Sequence, residues 1–178
     1  ILLKNGSSTA ENVALKDANG NQITQSGTDT YDVKKSIASQ GFSLFNTASA
    51  GYQLLVEGKG TKANQFGLAE VDQSGSISDI TWYYEDLKPL ESKFKTDIDN
   101  NGLVEDTEGY KLVGSTGNLL TLKGTKGVTY SDTFSNLWSA SAASTTETGF
   151  QVLLDGNSTY EGKYQVWDTD ASGLITQS

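Results

Sequence analysis

The chain contains no cysteine, methionine or histidine and a single proline among its 178 residues. Without cysteine and histidine it can form no disulfide, no zinc site of the Cys/His kind, no thiol nucleophile and no histidine-based catalytic triad. A small domain without disulfides depends on its core or on another stabilising element, and a bound metal is the usual alternative. The missing residue types therefore favour oxygen ligands for any metal site and argue against catalysis that needs cysteine or histidine.

Basic residues are also scarce. Lys and Arg total 13 against 22 Asp and Glu, which gives a net charge of −9 and a pI near 4.4. A nucleic-acid-binding protein needs clustered Lys and Arg to neutralise phosphates, so that class is excluded. No stretch approaches the ~18 apolar residues of a membrane span, and no signal peptide is present. Because the chain begins with Ile1, we expect it to be part of a longer protein.

An internal repeat is present instead. The stretch GYQLLVEGKGTKANQFGLAEVDQSGSIS begins at Gly51, and GFQVLLDGNSTYEGKYQVWDTDASGLIT begins at Gly149, 98 residues later; the two align without a gap. Upstream of each, a Thr-Tyr pair at Tyr31 and Tyr130 suggests a second correspondence, which differs in length by one residue. A repeat of this kind is the signature of stacked structural modules.

The repeat predicts the domain organisation. A shorter relative of the repeat opens the chain, and GYKLVGSTGNLLTLKG from Gly109 resembles that opening with a shortened turn. We therefore predict module one at 1–83, a connector at 84–108 and module two at 109–178. Module two stops where module one would reach its connector, so the parent protein is expected to continue with further modules.

The predicted fold class is mainly β: two related antiparallel β modules joined by a short helix and an EF-hand-like loop. Apolar residues alternate with polar ones in YQLLVEG and KYQVWDT, and Asp-x-x-Gly turns separate the strands. The connector contains KPLESKFKT, with Pro89 suited to a first turn and Leu87, Leu90 and Phe94 at helical spacing. The pattern predicts a helix of about 88–96, and an earlier start near Asp79 remains open.

The acidic stretch DIDNNGLVEDTE, residues 97–108, matches the twelve-residue calcium loop, with Gly102 at the sixth position where the chain must turn sharply. Calcium prefers six to eight oxygen ligands, and alternate residues of a tight loop can direct their oxygens inward. Magnesium suits a protein cage of this size less well. The predicted ligands are Asp97, Asp99, Asn101, Leu103 through its carbonyl, Glu105 directly or through water, and Glu108.

Other interpretations of the acidic residues remain. The loop can be a solvated linker, as charge runs usually are. The sequence after it reads as strand and turn, so we expect a helix–loop–strand arrangement and a structural site without the paired partner of a calcium sensor. The hairpin turns at Leu15–Gly20, Glu70–Gly75 and Asp168–Gly173 imitate the loop. They need no metal, although a weak ion at Asp168 and Asp170 remains possible.

The aromatic residues also allow two interpretations. Trp82, Trp138 and Trp167 can pack in the core or between modules, as strand aromatics usually do, or form a platform for a sugar ring. Trp167 aligns with Ala69 in the other copy, so it is not a fixed element of the repeat. No carboxylate pair stands out for glycoside hydrolysis, and we expect no enzymatic activity.

Two segments carry a family resemblance. Glu91, Phe94, Asp97 and Gly102 fit a Glu-x-x-Phe-x-x-Asp segment followed by an acidic Gly-containing loop, although Asn100-Asn101 replaces the usual Gly-Asp pair. The second segment has the pattern Gly-Tyr-x-Val-Leu followed by Tyr-x-Val-Trp-x-x-Asp-x-x-Gly. It is matched by Gly149, Phe150, Val152, Leu153, Tyr164, Val166, Trp167, Asp170 and Gly173. The chain thus resembles the tryptophan-rich C-terminal domain of exported proteins from cyanobacteria and other marine bacteria. The resemblance implies a large, secreted, calcium-associated repeat protein and no known ligand.

The sequence therefore predicts a calcium-stabilised structural or adhesive repeat segment of a large extracellular bacterial surface protein. The alternatives are a carbohydrate-binding module and a self-assembling filament or surface-layer subunit. Ca²⁺ is the expected cofactor, and the expected partners are neighbouring modules, identical subunits or surface glycans.

Overall fold

Antiparallel strand pairing accounts for most of the regular structure in the computed structural model, which describes residues 2–4, 12–14, 31–39, 51–72, 74–106, 108–134 and 136–177. The chain divides into two compact units, Ile1–Leu87 and Lys88–Ser178. The prediction of a mainly β protein with antiparallel sheets and one short helix is confirmed. No helix in the described ranges has the length and apolar character needed to cross a bilayer.

The first unit contains a two-stranded and a four-stranded sheet. Its strands are β1 (Leu2–Lys4), β2 (Asn12–Ala14), β3 (Tyr31–Ser39), β4 (Gly51–Gly58), β5 (Phe66–Val71) and β6 (Ile77–Tyr83). β1 pairs with β2, and β3 to β6 lie side by side in chain order. The buried core of this unit consists of Tyr31, Tyr52, Leu54, Val56, Ala69, Val71 and Ile77.

The second unit begins with the helix and contains a three-stranded and a four-stranded sheet. Its elements are α1 (Lys88–Phe94), β7 (Leu103–Asp106), β8 (Gly109–Val113), β9 (Leu119–Thr121), β10 (Trp138–Thr145), β11 (Gly149–Gly156), β12 (Tyr164–Asp170) and β13 (Ile175–Gln177). One core joins the two sheets. It consists of Leu103, Tyr110, Leu112, Leu122, Tyr130, Ala140, Phe150, Val152, Leu154 and Ile175.

The four-stranded sheets of the two units repeat the same register. Glu57 pairs with Phe66 in the first unit, and Asp155 pairs with Tyr164 in the second, 98 residues later at both positions. Short 3₁₀ turns follow at Gly60–Lys62 and Ser158–Tyr160. The gapless alignment from β4 and β11 onward is therefore reproduced in the backbone.

The Asp-x-x-Gly turns also repeat. Asp72 Oδ1 accepts the backbone N–H groups of the residues two and four positions later, at 2.8 and 2.9 Å. Asp170 Oδ1 makes the equivalent bonds at 2.8 and 3.0 Å. Gly75 and Gly173 have φ of 85° and 82°, which only glycine adopts without strain. The third predicted turn, at 15–20, lies outside the described residues.

The upstream correspondence between Tyr31 and Tyr130 is wrong. Tyr31 faces Gly58 at the start of β3, whereas Trp138 faces the equivalent Gly156 at the start of β10. Trp138 is thus the structural counterpart of Tyr31. The connection to the next strand spans residues 40–50 in the first unit and only 146–148 in the second. A count of residues back from the aligned strands β4 and β11 therefore pairs Tyr31 with the wrong residue.

The resemblance between the opening segment and the segment from Gly109 corresponds to two hairpins. Leu3 pairs with Val13 in one hairpin, and Leu112 pairs with Leu120 in the other. The connection spans residues 5–11 in the first and 114–118 in the second, which agrees with the predicted shortening of the turn.

The predicted position of the helix is confirmed, whereas the alternative start near Asp79 is wrong. Helix α1 covers Lys88–Phe94, whereas Asp79 lies within β6. The residues after Asp79 are Ile80, Thr81, Trp82 and Tyr83, and β-branched and aromatic side chains favour a strand. The helix and the acidic loop both fall in the second compact unit. The boundaries 1–83, 84–108 and 109–178 stay a prediction.

Candidate metal centre

Helix α1 places one acidic side chain on its buried face. Pro89 occupies the first turn, and Leu90, Glu91 and Phe94 are buried, so a carboxylate lies among apolar side chains. Lys95, with φ of 49°, adopts the left-handed conformation that commonly ends a helix. The chain then enters the acidic loop directly.

The loop is organised by its own carboxylates. Asp97 accepts backbone N–H groups with both oxygens, from Asn101 at 3.1 Å and from Gly102 at 3.0 Å. Asp99 Oδ1 accepts the same Asn101 N–H at 3.0 Å, and Asn101 Oδ1 accepts the Leu103 N–H at 2.8 Å. Gly102 has φ of 84° and makes the reversal that the sixth loop position requires. The loop therefore has the chain path that the calcium-loop template predicts as far as its seventh residue.

Glu91 connects the helix to both sides of this loop. Its Oε1 accepts the Ile98 N–H at 2.7 Å, and its Oε2 accepts the Glu105 N–H at 3.3 Å. The residue is completely buried. A single carboxylate thus links α1, the loop and β7.

Glu91 also completes a cluster of acids. One carboxylate oxygen from each of Glu91, Asp97 and Asp99 lies within 4.8 Å of the other two, and among the described residues this is the group of acidic side chains close enough to share an ion. These donors are all hard oxygens. They suit calcium or magnesium rather than zinc or copper.

The electrostatics of the cluster favour a positive partner. Burial raises the pKa of Asp97, and the nearby charge of Asp99 raises it further. Burial likewise raises the pKa of Glu91, against the opposing effect of the N–H groups that it accepts. Burial and the adjacent charge of Glu91 raise the pKa of Glu105 to about 7. The ionised carboxylates are destabilised where they stand, and a bound cation would relieve this.

The predicted ligands have different positions. Asp97 and Asp99 lie in the cluster, and the amide oxygen of Asn101 faces the Leu103 N–H. Leu103 is buried at the start of β7. Their ligand roles stay a prediction.

The last two predicted ligands are not brought into the cluster. Glu105 interacts with Glu91 and is half-buried. Glu108 is exposed beyond the end of β7, and its N–H donates to Asp106 at 3.4 Å. The strand explains the separation, because each residue of an extended chain advances by about 3.3 Å and carries position twelve away from the loop's start.

Glu91 was not among the ligands predicted from the sequence. The available signal was its spacing, since Leu87, Leu90, Glu91 and Phe94 lie on one face of a helix and an acid there is unusual. A charge on an apolar helix face requires a buried partner, and the acidic loop follows within the next turn. The carboxylate interaction itself depends on how the loop folds back, which the sequence pattern does not contain.

Backbone bonds attach the loop to both sheets of the second unit. The Asn101 carbonyl accepts the Ala143 N–H of β10 at 2.8 Å, and the Gly102 carbonyl accepts the Val113 N–H of β8 at 2.9 Å. Val104, at the eighth position of the loop, is fully buried. A change in the loop backbone would therefore alter its hydrogen bonds to both sheets.

The remaining sequence candidates have ordinary structural roles. Asp168 accepts a hydrogen bond from Gln151 at 3.0 Å, and Asp170 organises its turn. Trp82 packs against the first core, and Trp138 and Trp167 pack against the second. The ring of Trp138 stacks on Tyr160 at a centroid distance of 5.0 Å. The tryptophans are thus at least partly covered by neighbouring side chains.

No protein-family model, curated protein or solved structure matches this chain. The resemblance to the tryptophan-rich exported domains therefore stays a prediction, and the geometry of the site has to support the function by itself.

Proposed function

We propose that the second unit binds calcium at the start of the acidic loop and that this chain is a calcium-stabilised structural repeat segment of an extracellular bacterial surface protein. The observation that carries the proposal is the convergence of Glu91, Asp97 and Asp99 within 4.8 Å. A buried helical carboxylate and two loop carboxylates at this spacing repel one another when ionised.

The proposed ligand set differs from the sequence prediction at its last two side chains, and Glu105 is left out because it lies outside the cluster. Asp97, Asp99 and Asn101 keep their predicted roles, and Glu91 supplies the closing carboxylate in place of Glu108. Carboxylate oxygens that accept one N–H retain further lone pairs, so the loop's own hydrogen bonds leave room for a cation. Backbone carbonyls and water would complete the six to eight oxygens that calcium prefers.

The role that this geometry supports is stabilisation. A bound cation supplies charge neutralisation to the cluster. Glu91 then fixes α1, and the carbonyls of Asn101 and Gly102 hold β10 and β8 to the loop. Ligand binding to the folded state alone adds about 2.7 kcal/mol at a free ligand concentration about 100 times Kd. A repeat without disulfides would gain resistance to unfolding and to proteases in this way.

Calorimetric titration of metal-free protein with calcium chloride, together with thermal melting with and without chelator, tests the proposal. We expect binding heat and a higher melting temperature in calcium. Asp97→Asn should abolish both effects. Asp170→Asn is the matched control, because Asp170 also accepts backbone N–H groups in an Asx turn. It should lower the melting temperature and leave the calcium response intact.

Two outcomes would sink the proposal: wild-type protein that gives neither heat nor a melting shift, or an Asp97→Asn variant that responds to calcium as the wild type does. A further pair of variants decides the closing ligand. Glu108→Gln should bind calcium normally and Glu91→Gln weakly, whereas the reverse result would restore the set predicted from the sequence. Magnesium chloride in place of calcium chloride tests the choice of ion.

The extracellular assignment rests on composition and repetition. The acidic, cysteine-free chain and its 98-residue repeat are typical of exported modular proteins. Limited proteolysis with and without calcium tests the corresponding advantage. We expect slower cleavage of the second unit in calcium, and equal rates would contradict this role.

A further inference from the structure

A cleft of about 680 Å³ opens beside the metal centre, within the second unit. Its walls come from α1, from β7 and β8, and from the turn at 131–133. This volume falls in the range of roughly 300–1,000 Å³ that small-molecule sites occupy. Glu91, Asp97 and Asp99 do not line it, so it is distinct from the acid cluster.

The polar groups around Asp132 in the cleft lining are held in place. The Tyr110 hydroxyl donates a hydrogen bond to Asp132, and Lys88 Nζ lies 3.5 Å from the other oxygen of that carboxylate. Although burial opposes it, the Tyr110 hydroxyl and the charge of Lys88 hold the pKa of Asp132 below its ordinary value. Asp132 therefore presents a fixed, ionised acceptor to the cleft.

A second carboxylate of the lining, that of Asp106, is held by its neighbours. Ser92 Oγ donates to Asp106 Oδ1 at 3.1 Å, and Lys95 pairs with the same carboxylate. Although burial opposes it, these contacts hold the pKa of Asp106 below its ordinary value. The side chain of Asp106 is only 1% exposed, so it fixes the wall of the cleft and leaves Asp132 as an exposed acceptor, beside the hydroxyl-bearing turn residues Ser131 and Thr133.

The charge of the lining selects among ligand classes. The lining contains Lys88 and Lys93 together with Glu105, Asp132 and the buried carboxylate of Asp106, so the two signs nearly balance. An anionic ligand would meet the carboxylates, and a cationic one would meet the ammonium groups. A purely apolar ligand would strip water from these ions without replacing their hydrogen bonds, which is costly. A ligand rich in hydroxyls can donate to the carboxylates and accept from the lysines.

The cleft also has an apolar component. The ring of Pro89, the ring of Tyr110 and the methylene chains of Lys88 and Lys93 contribute carbon surface to the lining. Ligand sites typically combine such apolar walls with a few oriented polar groups. Sugar rings have the same composition, with C–H faces and hydroxyl edges.

We propose that this cleft binds a short uncharged glycan, whose hydroxyls donate to Asp132 and accept from Lys88 and Lys93. The site shares Glu105 with the surroundings of the acid cluster, through its interaction with Glu91, but none of the clustered acids lines it. It also differs from a tryptophan platform, since the lining contains no tryptophan.

An array of uncharged, anionic and cationic glycans, followed by amide-shift titrations of the full chain with the best uncharged binder, tests the proposal. We expect binding to uncharged glycans and shifts centred on Ser92, Asp106 and Ser131. Thr133→Trp should fill the cleft and weaken binding by about tenfold or more, since it removes contacts worth at least one hydrogen bond. Thr125→Trp, at an exposed turn outside the cleft, is the matched control.

Each result decides the matter. Binding of an uncharged glycan that Thr133→Trp weakens and Thr125→Trp preserves supports the assignment. Failure of every uncharged glycan to bind overturns it, as does preference for charged glycans, shifts centred elsewhere, or equal loss in both variants. Melting curves of both variants show whether a loss reflects unfolding. If Thr133→Trp unfolds, Lys93→Ala provides the same comparison at an exposed helix position.

Discussion

Glu91 lies 2.7 Å from the backbone nitrogen of Ile98 and accepts its hydrogen bond at a fully buried position. The same side chain bonds to the backbone of β7 and stands beside Asp97 and Asp99. One carboxylate therefore both holds the local structure together and adds to the repulsion within the acid cluster. The stability of α1, the loop and β7 therefore depends on whether the charge of Glu91 is neutralised.

Removing Glu91 should destabilise the second unit strongly. Glu91→Ala leaves the N–H groups of Ile98 and Glu105 without their acceptor and opens a cavity beside Leu90 and Phe94. A buried group that loses its hydrogen-bond partner costs about 1–3 kcal/mol, so we expect a loss of roughly 2–5 kcal/mol. Urea unfolding monitored by circular dichroism measures it. Glu161→Ala, at an exposed turn, should change the midpoint little, and equal effects of the two variants would refute the linking role.

The stability of metal-free protein should fall as pH rises from about 5 to about 7. Burial, followed by the charge of Glu91, raises the pKa of Glu105 from its ordinary 4.5 to about 7. The folded state therefore binds this proton more tightly than the unfolded chain, so its contribution is complete below about pH 4.5 and is lost as pH rises through about 7. Melting temperatures across this range in metal-free buffer measure the slope.

Glu105→Gln isolates that effect, since its side chain does not ionise. Its melting temperature should vary less with pH than that of the wild type, and Glu108→Gln, which alters an exposed acid of the same loop, should keep the wild-type slope. A wild-type curve that rises over this interval, or that is unchanged by Glu105→Gln, would contradict the assignment. Added calcium should flatten the wild-type curve by competing with the proton.

The sequence was sufficient to predict where the acidic loop turns. Asp97 and Gly102 determine where the chain turns, because their roles depend on hydrogen bonds and φ angles within a few residues. Glu108 was harder to place, because its position depends on whether a helix or a strand follows the loop. Glu91 acts across α1, the loop and β7, so its contacts require the tertiary fold.

In the strands, too, some features follow from the local sequence and others depend on the tertiary fold. The turn at Asp170 follows from Asp and Gly at fixed spacing, and the sequence predicted it. The counterpart of Tyr31 is Trp138 rather than Tyr130. A count of residues from the aligned strands assumes connections of equal length, and the two connections differ. Trp167 also shows a tertiary effect: it stands where Ala69 stands in the first unit and packs edge-on against Tyr130 at 5.0 Å.

Gly102 should tolerate alanine less well than another glycine of positive φ. Gly102 and Gly117 have φ of 84° and 78°, so both replacements carry the backbone cost of about 1–2 kcal/mol. A Cβ at Gly102 would lie 2.0 Å from the Ala143 carbonyl oxygen, whereas one at Gly117 would meet nothing within 4 Å. Gly102→Ala should therefore lower the melting temperature clearly more than Gly117→Ala. Equal losses would show that the close approach to β10 is unimportant.

A charged pair of the first unit has no counterpart at the equivalent described residues of the second. Lys34, the extra residue of a bulge in β3, pairs with Glu57. The equivalent bulge residue in β10 is Ser141, and the residue equivalent to Glu57 is Asp155. In the part of the chain that the structure describes, the buried Oδ1 of Asp155 has no hydrogen-bond partner. An acceptor of this kind is costly when it lacks a donor.

Ser141→Lys should stabilise the second unit by giving Asp155 the partner that Lys34 gives Glu57. Because the first-unit pair is partly exposed, we expect a gain of about 0.5–1 kcal/mol, sensitive to salt. Urea unfolding of Ser141→Lys, Asp155→Asn and the double variant forms a cycle that isolates the pair. Ser144→Lys, on the exposed part of the same strand, controls for added positive charge on an acidic protein. If Ser144→Lys gives the same gain, or if the gain survives Asp155→Asn, the stabilisation comes from net charge and the two bulges are not equivalent.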